Sequence, residues 1–390
     1  MVTIIRGGEV FAPEPLGRKD ILLAGGMVEA VADPGRLRVE GLEADVVEAA
    51  GKRVLPGLID PHVHILGGGG EGGPATRAPE IQVEEIVASG VTTVIGCLGT
   101  DGVTRHMASL LAKARALDLE GVSTFIFSGS YEVPVRTLTG SVRSDLVLVD
   151  KVIGAGEIAV SDHRSSQPTF EEVARLAAEC RVGGLLGGKA GVLHLHLGDG
   201  GRRLEMLFRL VRETEIPPTQ VVPTHIGRNP DLFAEGLEWV AVGGSVDFTV
   251  EPDPLPSDPD ISLEECIARF EARGLPLSRL MASSDSNGSL PVFDAGGRLV
   301  RLSIATERDL FRKFADVLRK SVLPIEAAVR VFSTNAADFY KLGKKGRIEA
   351  GRDADLIILD ADFGLTDVFG RGRRLAADGR VIARGTFSER

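Results

Sequence analysis

A chain of 390 residues is too long for one small domain but suits a large barrel with an accessory domain. Hydrophobic residues make up 43%, enough for a sizeable core, and no apolar run approaches the ~20 residues of a membrane span. A formal charge of −10, with only a short arginine run near Arg374, excludes a basic nucleic-acid surface.

The N-terminus lacks the basic segment, apolar core and small-residue cleavage site of a signal peptide. Cys97, Cys180 and Cys266 are widely spaced and odd in number, which points to reduced thiols in the cytoplasm. Residues 1–53 alternate short apolar stretches with turns and cannot bury a core alone. Residues 344–390 repeat that pattern, with Asp378-Gly379 as a hairpin turn. The two ends are expected to pair into one small β-sandwich domain.

Between them, over 54–343, short apolar strands alternate with amphipathic helical stretches. The first strand is the run 54–59, and others begin at Val91, Val122, Lys151, Val192, Val221, Ser245 and Leu280. Helical stretches are expected over 105–117, 169–180, 202–213, 231–242 and 263–273. Eight such units predict an α/β chain with a (β/α)8 TIM barrel. An open doubly wound sheet is the runner-up, but the phosphate-binding glycine fingerprint is not found after the first strand.

In such a barrel the active site lies at the C-terminal ends of the strands. There stand His62 and His64, Tyr131, His196, His225 and Asp285, with Glu157 inside strand four. Residues two apart on a strand share a side, so His62 and His64 can offer two imidazoles to one metal ion. His194 repeats the spacing beside His196 but lies deeper, where packing is the plainer role. Glu157, in I-G-A-G-E-I-A-V, is costly to bury without a cation or donors. Asp285 could merely cap a turn. His106 and His163 lack a matching strand-end setting, and the cysteines read as core. The composition implies metal-assisted hydrolysis, in which a metal lowers the pKa of bound water and a nearby carboxylate, Asp285, moves the proton. No G-x-S-x-G elbow is present.

The motifs P-G-L-I-D-P-H-V-H, H-I-L-G-G-G-G-E-G-G-P, L-G-T-D-G-V-T-R-H, S-D-H-R-S, H-L-G-D, P-T-H-I-G-R-N and S-D-S-N-G-S resemble the amidohydrolase superfamily. Within it they are closest to isoaspartyl (β-aspartyl) dipeptidases, which cleave isopeptide-linked aspartyl dipeptides with metal-bound hydroxide. The resemblance implies two divalent metals, typically zinc, and a homo-oligomer acting on a small dipeptide, with no nucleic acid or membrane partner. It assigns His62 and His64 to one metal and His196 and His225 to the other. Asp285 becomes metal ligand and general base, and Tyr131 polarises the scissile carbonyl. Glu71 receives the substrate ammonium; Arg164, Arg228 and Ser289 hold its carboxylates; Thr100 and the Gly69 loop add further contacts. One position departs from the pattern. The family usually carries a carboxylated lysine on strand four, bridging the metals, and this chain has Glu157 there. The alternatives are an amidohydrolase of cyclic or acylated amides (dihydroorotase- or hydantoinase-like) and a non-catalytic scaffold of the same fold.

Overall fold

The computed structural model describes residues 2–41, 43–250, 260–293 and 298–388. The first five strands are β1 (Val2–Phe11), β2 (Pro15–Ala24), β3 (Met27–Ala32), β4 (Asp45–Glu48) and β5 (Arg53–Pro56). Eight parallel-sheet strands follow: β6 (Leu58–Val63), β7 (Val91–Gly96), β8 (Ser123–Ser128), β9 (Val152–Val160), β10 (Val192–Leu197), β11 (Val221–Thr224), β12 (Val246–Thr249) and β13 (Leu280–Ser283). Next come a hairpin, β14 (Ser289–Phe293) with β15 (Leu299–Ile304), and four closing strands, β16 (Leu356–Leu359), β17 (Leu365–Gly370), β18 (Arg373–Ala377) and β19 (Arg380–Val381).

Both chain ends enter one nine-stranded sheet, ordered β19-β18-β17-β16-β5-β1-β2-β3 with β4 on β1. The seam between the ends is antiparallel, with Leu55 opposite Ile357. An antiparallel bridge from Met27 to Asp353 brings the far edge back, so the sheet curls around a core of Ile5, Ile21, Leu23, Val54, Leu356 and Phe369. The small β domain expected from both chain ends is thus one hydrogen-bonded sheet folded over its own core. The two-residue turn is where it was expected, since Ala377 pairs with Arg380 across Asp378-Gly379.

Strands β6 to β11 form a parallel sheet in chain order, and β12 pairs in parallel with β13. All eight are buried on both faces, as parallel strands covered by helices must be. Ile59, Ile95, Phe127, Ile153, Val192, Val222 and Met281, each from a different strand, meet in one apolar cluster with Tyr340. The connecting helices Met107–Glu120, Phe170–Gly187, Glu205–Glu213, Pro230–Ala241 and Leu263–Ala272 stand where the periodicity placed them. Their starts have local causes. Thr169 and Glu172 form a capping box, and Asn229 accepts from the Leu232 amide at 2.8 Å just before Pro230.

The run 54–59, read as one strand, is divided at Gly57: Val54 belongs to the end sheet and Ile59 to the parallel one. Apolar content alone cannot reveal such a split. A Cβ on Gly57 would lie 2.2 Å from Thr92 Oγ1, while its amide and carbonyl are held by Asp355 and Ser333. Gly57→Ala should therefore destabilise the fold by about 1–3 kcal/mol, read as a lower denaturant midpoint with unchanged slope.

Candidate metal centre

The parallel strands deliver their polar residues to one mouth. His62 lies in β6 and His64 just beyond it, Glu157 in β9, and His196 near the end of β10. His225 directly follows β11 and Asp285 lies two residues past β13, both in the left-handed region with φ of 59° and 54°. Non-glycine residues rarely adopt that conformation, and here it turns both side chains out of the strand direction into the mouth.

Glu157 is fully buried at the centre. Its Oε1 lies 3.3 Å from His64 Nε2. Its Oε2 lies 3.3 Å from His62 Nε2, 3.1 Å from His196 Nδ1 and 3.6 Å from His225 Nε2. Asp285 Oδ1 is 3.0 Å from His64 Nε2 and 3.5 Å from His62 Nε2. Tetrahedral bonds of ~2.0–2.1 Å to nitrogen or oxygen imply donor separations of roughly 3.3 Å. The pocket has that spacing. Buried His62 Nε2, Glu157 Oε1 and Asp285 Oδ1 also lack hydrogen-bond partners, a costly arrangement that a cation among them would satisfy. The donor set therefore fits divalent metal. Gly99 keeps the loop close, since a Cβ there would sit 2.8 Å from His64 Cε1.

The electrostatics agree. Burial would depress His62 and His64, but the charges of Cys97 and Glu157 raise His62, and Cys97 with hydrogen bonds to Asp285 and Glu157 raises His64, both well above the usual imidazole value. Burial would raise Glu157, but His62 and His196 hold it well below the carboxylate range. Asp285 is likewise pulled down to about 2 by His64 and His62 against its burial. Burial and Arg228 push His225 down to about 3. Burial and Glu157 raise the Tyr131 phenol well above its ordinary value, so it keeps its proton.

The expected recognition residues also gather. Glu71 accepts from Thr100 Oγ1 at 2.9 Å and Ser289 Oγ at 3.0 Å, with Arg164 Nη1 at 3.4 Å. Tyr131 Oη lies 2.8 Å from His196 Nδ1. Arg228 donates to the Leu197 carbonyl at 2.6 Å and reaches within 3.4 Å of His196 Nε2. Gly69 sits in the loop after β6, its carbonyl accepting from Arg105 at 3.4 Å. Lys151 and Lys189 instead bond the Thr124 and Val149 carbonyls.

Three nearby groups make contacts that the sequence did not reveal. His194 Nε2 lies 2.9 Å from His62 Nδ1 and Nδ1 lies 3.2 Å from Tyr340 Oη, so His194 braces a site histidine as well as packing. Cys97 Sγ lies 3.9 Å from His64 Nδ1. Asp162 contacts both His196 and Arg164. The signal for Asp162 was its place two residues past strand four.

A parallel α/β sheet with this histidine and carboxylate set at its strand ends is the arrangement of the amidohydrolase class. The amidohydrolase family model matches residues 260–382. The β-aspartyl dipeptidase of Fervidobacterium islandicum AW-1, solved with β-Asp-Leu dipeptide, is 45% identical, with TM-score 0.92 over 98% of this chain and 97% of that one. The D-hydantoinase of Bacillus sp. AR9, at 17% identity and TM-score 0.67 over 98% of this chain and 97% of that one, shares the fold. Adenine deaminase of Halalkalibacterium halodurans is 25% identical over 93% of this chain, which spans 55% of the length of that relative. The chain belongs to the isoaspartyl (β-aspartyl) dipeptidase family of the amidohydrolase superfamily.

Protons on His62 and His64 compete with any cation. With folded pKa values raised above ~6.5, their stabilising effect is full below that pH and lost as pH rises through the raised values. Metal affinity should accordingly rise with pH in chelator competition. At hundredfold excess over Kd, metal should add about 2.7 kcal/mol of stability. Glu157→Gln should gain less, because the anion among the imidazoles is gone.

Proposed function

We propose that the chain hydrolyses the isopeptide bond of β-aspartyl dipeptides. The observation that carries this reading is the Glu71 carboxylate, held by Thr100, Ser289 and Arg164 beside the metal donors. Such a dipeptide presents one ammonium and two carboxylates around its amide. Glu71 takes the ammonium, and Arg164 and Arg228, with Ser289, take the carboxylates, which arginine forks match well. Thr100 and the Gly69 loop complete the cradle. The Fervidobacterium relative was solved with a dipeptide of this kind.

His62, His64 and Asp285 would hold one zinc ion and His196 and His225 a second, with Glu157 between them. When bound, the ions supply a water acidic enough to react near neutral pH and polarise the scissile carbonyl. Asp285 accepts the proton of the attacking water and passes it to the leaving amine. The Tyr131 hydroxyl, which keeps its proton, donates to the carbonyl oxygen as negative charge develops there.

The eight parallel strands close into a barrel in this reading, supported by the Val63–Ser286 bridge and the Ile226 amide bonding Asp247 at 3.4 Å. Its boundary with the end sheet falls at Gly57, a few residues beyond the expected 53/54 division, and on the far side near 343/344. Three buried free cysteines suit a reducing cytoplasm. Self-association into a homo-oligomer would use exposed apolar residues such as Leu148, Leu185 and Leu186.

A substrate panel tests the reading. β-Asp-Leu should be turned over in preference to dihydroorotate, hydantoins and N-acyl amino acids, and activity on only the last three would overturn it. Asp285→Asn should keep the fold and lower kcat by roughly 10²–10⁴, since an amide cannot accept the proton; a near-normal kcat would remove Asp285 from that role. Glu71→Gln and Arg228→Ala should each cost on the order of 2–5 kcal/mol in kcat/KM for β-Asp-Leu, through unpaired substrate charges.

A further inference from the structure

Asp162 sits just past β9, 5% exposed, and both of its carboxylate oxygens are engaged. Oδ1 accepts from the Arg164 amide at 2.7 Å and Arg164 Nε at 3.1 Å. Oδ2 accepts from Arg164 Nη2 at 2.7 Å and faces His196 Nε2 at 2.9 Å. One carboxylate therefore touches a ring of the metal centre and a guanidinium of the recognition cradle. A neutralising partner for Arg164 would need only the second of these contacts.

We propose that Asp162 is a positioning residue that fixes which nitrogen of His196 faces the metal and which edge of Arg164 faces the substrate. An imidazole that donates from Nε2 keeps its lone pair on Nδ1. That lone pair faces Glu157 Oε2 at 3.1 Å and the Tyr131 hydroxyl at 2.8 Å, and a cation seated between Nδ1 and Oε2 would satisfy both acceptors. On the other side, Asp162 occupies the Nε/Nη2 edge of Arg164, which leaves Nη1 toward Glu71 and the mouth. The ring and the fork are thereby set as a unit. The substrate half of this inference rests on the β-aspartyl dipeptide reading; the metal half does not.

Asp162→Asn keeps the side-chain volume but puts an N–H donor where His196 or Arg164 needs an acceptor. Zn2+ alone, titrated against a chromophoric chelator, should bind the variant roughly 10–100-fold more weakly, the usual effect of losing a carboxylate behind a ligand histidine. At saturating Zn2+, KM for β-Asp-Leu should also rise. Arg164→Gln should raise KM while leaving Zn2+ affinity near wild type, a split that general loosening of the loop would not produce. Nitrogen-15 histidine spectra of the zinc-loaded wild-type chain supply a check that needs no variant, and should show the His196 proton on Nε2. A proton on Nδ1, or unchanged Zn2+ affinity in Asp162→Asn, would overturn the proposal. Should the wild-type chain ignore β-Asp-Leu while Asp162→Asn still weakens Zn2+, the metal half stands and the substrate reading alone fails.

Discussion

A single buried carboxylate sets the terms for the rest of the molecule. Glu157 stands fully enclosed with four imidazoles within 3.6 Å, and an isolated charge there would cost several kcal/mol. Strands β6 and β10 carry His62 and His196 to this anion, and the turns after β6 and β11 carry His64 and His225. The left-handed turns at His225 and Asp285 are tolerated because the packed strands behind them leave little freedom.

Around this anion the polar groups form successive layers. The imidazoles meet Glu157 directly, while His194, Asp162 and Cys97 hold those rings from behind. Asp60 ties the backbone of the first motif to the last, accepting from the His62 amide at 3.1 Å and the Ser284 amide at 3.1–3.2 Å. Glu71 accepts from Thr100, Ser289 and Arg164, and Arg164 joins that group through Asp162 to His196. Such layering favours precision over adaptability, because each ring is held on the nitrogen that faces away from Glu157.

Much of this was legible in the residues themselves. Period-two spacing placed His62 and His64 on one side, and strand-end position picked out His196, His225 and Asp285, because a barrel-type sheet has only one end at which such groups collect. The cradle of Glu71, Thr100 and Ser289 was legible only through resemblance, since acids and hydroxyls in loops are common and their convergence depends on loop paths. Asp162 and His194 were not legible as braces. Spacing shows which side a residue faces, but not which ring nitrogen meets which oxygen. The division at Gly57 was hidden for a similar reason: an apolar run is equally apolar on either side of a break. The hairpin of β14 and β15 past Ser289 and the helix Glu307–Arg319 lie beyond the last expected strand, where no further motif drew notice.

The seam between β5 and β16 bears on how the chain is made. Leu55 leaves the ribosome some three hundred residues before its partner Ile357, so an emerging chain holds β1 to β5 with one edge open for most of synthesis. At ~5–20 residues per second that interval lasts tens of seconds. An unpaired apolar edge is a template for wrong partners, and closing so large a loop is slow. Arg53 at the start of β5 places a cation on that edge, a charge of the kind that discourages edge-to-edge aggregation while the true neighbour is still being translated.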